Sequence, residues 1–173
     1  PDNLTLLFSR EQIEQRTREL AALISRDYHD RHLVIVGVLK GCFVFMADII
    51  RNLDLDVTVD FVQVSSYGAS RQSSGECTLV KDLGIDIKAR DVLVVEDIVD
   101  TGETLACLIE ALQQRSPASV RVCALLDKRC RRRAAVTVDY FGFFVEDVFV
   151  VGCGLDFDER YRELPGIYAL APD

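Results

Sequence analysis

Three carboxylates in the segment VLVVEDIVDTGETL (residues 92–105) are the side chains best placed to do chemistry in this sequence. Glu96 and Asp97 end a run of β-branched residues that predicts a buried strand, and Asp100 follows before the next helix begins. In open α/β sheets, ligands bind beyond the carboxyl ends of the strands. We therefore expect the two adjacent acids to accept hydrogen bonds from a diol or to bind a metal ion.

The turn after these acids has the composition of a phosphate-binding loop. Its backbone N–H groups and the hydroxyls of Thr101 and Thr104 can surround a phosphate, and the dipole of the following helix favours an anion there. Gly102 lets the backbone approach closely, whereas Glu103 is expected to point outward because its charge would repel a phosphate. A phosphorylated ribose, with Mg²⁺ beside it, satisfies both the acids and the turn. The sequence contains no GxxxxGK[ST] or GxGxxG motif that would indicate another phosphate site.

The elements that position these residues alternate between strands and helices. Ser9 and Gln12 have the spacing of a capping box that opens a helix through about Arg26. The apolar face of this helix is predicted to hold Ile13, Leu20, Leu23 and Ile24. Apolar runs predict strands at residues 33–39, 57–64, 92–96, 120–127, 139–145 and 149–152, and helices are predicted at about 42–52 and 103–115. Apolar strands that alternate with helices are typical of an open α/β fold whose mainly parallel sheet is covered on both faces.

Length and composition indicate one globular domain spanning residues 1–173. No apolar run approaches the roughly 20 residues that cross a bilayer, and the acidic start of the chain does not resemble a signal peptide. The six cysteines form no CxxC pair, which argues against a zinc site and a disulfide framework. We therefore expect a cytoplasmic protein with reduced thiols and no membrane partner. The net charge of −8 disfavours a nucleic-acid partner, and the basic run KRCRRR (residues 128–133) is expected to be mostly a solvated loop.

The segment VVEDIVDTGETL resembles the phosphoribosyl-pyrophosphate signature of the type I phosphoribosyltransferases. Further segments resemble the 6-oxopurine branch of that family, the hypoxanthine-guanine phosphoribosyltransferases. They are GVLKGCFVFMADI, DFVQVSSYG, SSGE…LVKDL, CALLDKR and FVVGCGLDFDERYRELP. The resemblance runs from about Leu33 to Tyr168 and adds to the expected fold a small hood built from the terminal segments.

The resemblance implies which part of the phosphoribosyl group the acids bind and which part the turn binds. Glu96 and Asp97 would hold the ribose hydroxyls, in part through Mg²⁺. Residues 100–104 would bind the 5′-phosphate, mainly through backbone amides and hydroxyls. Asp100 would also lie near N7 of the purine as a candidate general base or acid. The ordinary pKa of an aspartate is about 3.9, so a role in proton transfer would require burial to raise it.

The resemblance also implies which residues contact the base. Lys128 would donate a hydrogen bond to the exocyclic O6, which favours 6-oxo over 6-amino purines because an ammonium cannot accept. Phe149 would stack on the base, and the backbone of Val150 would read its Watson–Crick edge. Bacterial members often have proline and a small residue after the lysine, whereas this chain has Arg129 and Cys130.

Pyrophosphate and a second metal ion are implied to lie on the other side of the ribose. Lys40 and Gly41 occupy the position of a pyrophosphate loop that contains a non-proline cis peptide in this family. Arg162 matches a pyrophosphate-contacting arginine, and Asp156 matches a carboxylate that binds a second Mg²⁺ or its water.

Taken together, the resemblance implies an enzyme of purine salvage. It would transfer the phosphoribosyl group of phosphoribosyl pyrophosphate to hypoxanthine or guanine, giving IMP or GMP and pyrophosphate. Ser66 and Tyr67 would open a mobile loop that closes over the site and excludes water. The family forms dimers and tetramers, so a homodimer or homotetramer is expected. The alternative is a regulator with the same fold that senses nucleotides and binds RNA. Only the basic run of residues 128–133 favours this alternative.

Overall fold

The computed structural model of the chain describes residues 4–64 and 79–171. Within them it contains a six-stranded sheet flanked by helices and a separate three-stranded sheet. The elements in chain order are β1 (Leu4–Phe8), α1 (Arg10–Asp27), β2 (Leu33–Val38), α2 (Phe43–Asn52), β3 (Val57–Val64), β4 (Leu79–Lys81), β5 (Asp91–Val99), α3 (Glu103–Gln113), β6 (Ser119–Asp127), β7 (Tyr140–Phe144), β8 (Phe149–Val151) and β9 (Ile167–Leu170).

The larger sheet has the strand order β4-β3-β2-β5-β6-β7. The pairs β3–β2, β2–β5, β5–β6 and β6–β7 are parallel, and only the short edge strand β4 runs antiparallel to its neighbour. The predicted open and mainly parallel sheet is therefore confirmed. Strand β5, which carries the acids, lies at the centre between β2 and β6.

Each face of the larger sheet has its own apolar core. On β5, Leu93 and Val95 pack into the core that contains residues of α1 and α2, while Val92 and Val94 pack into the core that contains residues of α3. This division follows from the period of two along a strand. The alternation breaks near the end of the strand, where Ile98 packs against the core of α1 and α2 and Val99 packs into the core of α3.

The smaller sheet joins the two ends of the chain. Its order is β1-β9-β8, and both pairs are antiparallel, which agrees with the expected hood. We had expected Phe149–Gly152 to be a further strand of the parallel sheet, and that was wrong. Only residues 145–148 separate β7 from β8, and a parallel crossover needs a dozen or more.

Two details of the predicted elements also required correction. Strand β5 continues past Glu96 to Val99, so the acids lie within the strand and do not end it. The capping box of α1 is confirmed, since the Ser9 hydroxyl accepts from the Gln12 N–H and the Gln12 side chain accepts from the Ser9 N–H. Leu23 is not on the buried face but 36% exposed, because the buried stripe of α1 is centred on Leu20 and Ile24.

Two findings bear on the general character of the chain. Among the described residues, no helix has both the length and the apolar character that a membrane span requires. The cysteines of that part of the chain are all free, and three of them, Cys42, Cys123 and Cys153, are buried.

Candidate active site

Three neighbouring strands bring the candidate residues to one edge of the sheet. Lys40 and Gly41 follow β2, and Lys128 follows β6. The acids belong to β5, and residues 100–104, called the phosphate turn below, lead from β5 into α3. These strands are parallel and adjacent in the order β2-β5-β6, so their carboxyl ends open on the same side. Along this edge, the loop that carries Lys40 therefore comes first, the carboxylates and amides of β5 and its turn come next, and Lys128 comes last.

The two adjacent acids lie in a poorly solvated environment. Glu96 is 9% exposed, and burial together with the charge of Asp97 raises its pKa well above the usual range. Burial also raises the pKa of Asp97 to about 6, and the Asp156 charge adds to this, although the Ile98 N–H and Arg162 stabilise the carboxylate. Burial thus opposes the ionisation of both acids, which is the condition under which a bound cation or diol gains most.

The loop after β2 packs directly on Asp97. The peptide bond between Leu39 and Lys40 is cis, which confirms the feature that the resemblance implied for this loop. A Cβ added at Gly41 would overlap the Asp97 carboxylate, so only glycine lets the loop lie this close to the acid. Gly154, with φ at +97°, packs in turn against the carbonyl of Gly41.

The two cations expected to bind pyrophosphate share one carboxylate. Lys40 Nζ lies 3.0 Å from Glu159 Oε1, and Arg162 Nη2 lies 3.1 Å from Glu159 Oε2. Arg162 also forms an ion pair with Asp156 at 2.9 Å and donates to the Gly154 carbonyl at 2.7 Å. Lys40 and Arg162 are therefore brought together near Asp97, as a site for a polyanion requires.

The phosphate turn leads into the N-terminus of α3. Gly102 has φ at +80° and is the N-cap of this helix, and the Glu103 N–H donates to the Thr101 hydroxyl at 3.4 Å. Glu103 is exposed and accepts from the Thr101 hydroxyl at 3.3 Å, in agreement with its expected outward direction. Thr104 is exposed in the first turn, where its hydroxyl can add to the helix amides.

Asp100 lies between the phosphate turn and the loop after β6. Its side chain is 40% exposed, and Arg131 Nε lies 3.3 Å from its Oδ1. That contact lacks the alignment of a hydrogen bond, since Oδ1 has no hydrogen-bond partner. Arg131 also lies 3.4 Å from Asp147, so it bridges the turn and the loop that leads into β8.

The residues expected to contact a base surround the end of β6. Lys128 is 5% exposed, and its Nζ donates to the Val148 carbonyl at 2.8 Å. Phe149 is 50% exposed and meets the Phe157 ring edge-on, with the ring centroids 5.5 Å apart. Val150 is buried in β8. The two rings and the ammonium can together form a platform and a donor for a planar heterocycle.

The acids fit a metal ion that the substrate helps to bind. Among the described residues, no group of three or more histidine, cysteine or acidic side chains could hold a metal by itself. Mg²⁺ is commonly held by one or two carboxylates together with substrate phosphates and water. Asp97 and Asp156, whose charges oppose each other, supply oxygen donors of that kind beside Lys40 and Arg162.

Sequence reasoning missed several residues of this region. The pattern gave no signal for Glu159 as the shared partner of the two cations or for Phe157 as the partner of Phe149. The basic run was expected to be mainly solvated, yet Lys128 is buried and Arg132 has only 18% of its side chain exposed. Ser66 and Tyr67, the expected start of a closing loop, lie outside the described residues.

Comparison with known proteins extends the likeness over almost the whole chain. A model of the phosphoribosyl transferase domain matches residues 6–158. The chain is 46% identical to the hypoxanthine-guanine phosphoribosyltransferase of Bacillus subtilis (strain 168), over 96% of this chain and 93% of that protein.

Two solved structures agree with this. A hypoxanthine-guanine phosphoribosyltransferase from Bacillus anthracis, with a HEPES molecule in its active site, has a TM-score of 0.92 at 42% identity, covering 96% of this chain and 98% of that one. A hypoxanthine phosphoribosyltransferase from Staphylococcus aureus has a TM-score of 0.91 at 44% identity, covering 97% and 93%. The likeness therefore concerns the whole fold and not a single motif.

Proposed function

The chain belongs to the phosphoribosyl transferase domain family, and on that premise we propose that it is a purine-salvage enzyme that acts on hypoxanthine, guanine or both. It transfers the 5-phosphoribosyl group of phosphoribosyl pyrophosphate to the base, giving IMP or GMP and pyrophosphate. The relatives named hypoxanthine-guanine phosphoribosyltransferase support this function. They give no support to the RNA-binding alternative.

One observation carries the proposal: the order β2-β5-β6 brings three groups of charged and polar residues to the same edge of the sheet. Lys40 of the first loop is paired through Glu159 with Arg162, which suits a pyrophosphate. The acids and the turn of β5 suit a ribose 5-phosphate. Lys128 after β6 donates to the carbonyl of Val148, the residue before the exposed Phe149, which suits a 6-oxopurine.

Two kinds of group bind the sugar: hydrogen-bond acceptors for its hydroxyls and hydrogen-bond donors for its phosphate. Glu96 and Asp97 accept hydrogen bonds from the ribose hydroxyls, while the amides of residues 101–104 and the hydroxyls of Thr101 and Thr104 bind the 5′-phosphate. Glu96, Asp97 and Asp156 would hold Mg²⁺, which would supply positive charge that offsets the developing charge of the leaving pyrophosphate. Lys40 and Arg162 bind that group from the side of β2.

The base is oriented by Lys128 and Phe149. The ammonium of Lys128 donates to O6, and a 6-amino group would present a second donor to it, so adenine is rejected. Val150 contributes backbone polar atoms at the Watson–Crick edge. Asp100, whose Oδ1 has no hydrogen-bond partner, can take the proton that the purine loses when its nitrogen attacks C1 of the ribose. Ser66 and Tyr67 are proposed to start the segment that covers the site during this step.

The test is a spectrophotometric assay with phosphoribosyl pyrophosphate and Mg²⁺, in which hypoxanthine, guanine, xanthine and adenine are offered separately. Turnover of hypoxanthine or guanine, with adenine inert, is the expected result. If the protein binds phosphoribosyl pyrophosphate but turns over none of the four bases, the enzymatic function is refuted. Omission of Mg²⁺ with a chelator should abolish turnover, and light scattering should give the mass of a dimer or tetramer. Fractionation of source cells should recover the protein in the cytoplasm.

A further inference from the structure

Behind the phosphate turn lies a buried charge cluster that no part of the proposed chemistry uses. Asp127, at the end of β6, is 1% exposed. Its Oδ2 accepts from Arg129 Nε at 2.8 Å, and its Oδ1 accepts from Arg132. A carboxylate at this depth requires such partners, since a buried charge without them is costly.

Arg132 links this carboxylate to the backbone of the phosphate turn. Its Nε donates to the Asp100 carbonyl at 3.2 Å, and its Nη2, which also reaches Asp127, lies 3.5 Å from the Val99 carbonyl. The aliphatic stem packs on the turn as well, because a Cβ added at Gly102 would come within 2.9 Å of Arg132 Cδ. One guanidinium thus fixes the turn by both hydrogen bonding and packing.

The residues after Arg132 continue this contact along the turn. The N–H groups of Arg133 and Ala134 donate to the Thr101 carbonyl at 2.9 and 3.1 Å. Two successive carbonyls, those of Asp100 and Thr101, are therefore directed towards the loop after β6. In a planar trans peptide the N–H points opposite to the C=O. The amides of Thr101 and Gly102 must then point away from this loop, towards the open edge of the sheet.

We propose that Arg132, anchored by Asp127, is a positioning residue that holds the phosphate turn with its amides directed at the 5′-phosphate. This inference rests on the proposed function for the identity of the ligand. Arg132 acts from behind the turn and does not touch the substrate. The basic run 128–133 thereby acquires two internal roles, with Lys128 facing the base and Arg132 orienting the turn.

The first test is the variant Arg132→Lys, because lysine keeps the positive charge near Asp127 but lacks the planar fork that reaches two acceptors at once. We expect the KM for phosphoribosyl pyrophosphate to rise about tenfold, equivalent to ~1.4 kcal/mol, with the KM for the purine unchanged. Arg129→Lys is the matched control. This variant disturbs the hydrogen bond that Arg129 donates to the same carboxylate. Within the described residues, however, the Arg129 side chain makes no hydrogen bond to residues 99–104. The KM for phosphoribosyl pyrophosphate should therefore stay within about twofold of the unsubstituted protein.

The second readout does not depend on catalysis. Hydrogen–deuterium exchange of peptides covering residues 99–106 should be faster in Arg132→Lys than in Arg129→Lys, in the absence of any substrate. Faster exchange without turnover in the unsubstituted protein would support the positioning role and refute the proposed function. Equal exchange in the two variants, or a KM for the sugar diphosphate that is raised equally by both, would reduce Arg132 to a structural residue and overturn the inference.

Discussion

Replacing Asp97 by asparagine should stabilise the protein at neutral pH while removing its ligand binding. The pKa of Asp97 is raised from 3.8 to about 6, chiefly by burial and further by the Asp156 charge. A group whose pKa is higher in the folded state favours folding fully below its unfolded pKa and loses that contribution as the pH rises through its folded pKa. The cost of ionising Asp97 therefore develops between about pH 4 and pH 6 and reaches roughly 3 kcal/mol above it.

Asparagine removes this cost and preserves the local geometry. Its side-chain oxygen can still accept from the Ile98 N–H, which lies 2.8 Å from Oδ1. Loss of the Asp97 charge also relieves Glu96, whose pKa is raised in part by that charge. Asp97→Asn should therefore exceed the unsubstituted protein in unfolding free energy by about 3 kcal/mol at pH 8, with the difference vanishing near pH 4.

Urea unfolding in chelator from pH 4 to pH 8 measures this difference directly. Asp60→Asn is a control of opposite sign: burial opposes ionisation of Asp60, but hydrogen bonds from the Phe61 and Gly84 N–H groups and the ion pair with Lys81 outweigh it and lower its pKa. That variant should be less stable at neutral pH, and its deficit should shrink as the pH falls through the lowered pKa. If Asp97→Asn were less stable than the unsubstituted protein at pH 8, or if its gain in unfolding free energy did not vary with pH, ionised Asp97 would not destabilise the folded protein and the reasoning would be wrong.

Further predictions concern the neighbouring residues. Gly154→Ala should lower the unfolding free energy by about 2 kcal/mol or more, because its φ is +97° and a Cβ would overlap the Gly41 carbonyl; urea titration against Gly84→Ala, whose Cβ would meet its neighbour at an ordinary 3.7 Å, checks this. Asp100→Ala should fold normally, within ~0.5 kcal/mol, since its Oδ1 accepts no hydrogen bond, and yet lose turnover by about 100-fold; full activity would exclude it from the chemistry. Lys128→Ala should weaken discrimination against adenine more than it raises the KM for the sugar diphosphate, and steady-state kinetics with both bases would contradict the assigned role if the two effects were equal.

The local patterns of the sequence were enough for most of the elements. The capping box at Ser9 and the apolar runs of β2, β5 and β6 are signals that act over a few residues, and all of them are confirmed. The Thr-Gly-Glu-Thr sequence after a strand predicted a turn into a helix, and α3 does begin at Glu103. The position of β8 was not predictable from its apolar composition, since an apolar run does not state which sheet it joins.

The site needed the tertiary structure wherever its residues are far apart in sequence. Glu159 joins Lys40 to Arg162 across more than a hundred positions, and the close approach of Gly41 to Asp97 depends on how β2 and β5 pair. The basic run is the clearest case. The run of six adjacent residues was predicted to be a charged loop, but folding buries Lys128, partly buries Arg132 and leaves Arg129, Arg131 and Arg133 exposed. The sequence by itself determined which charges are available, and only the packing of that loop against β5 decided which of them are withdrawn from solvent, because desolvation depends on neighbours that the chain brings together in space.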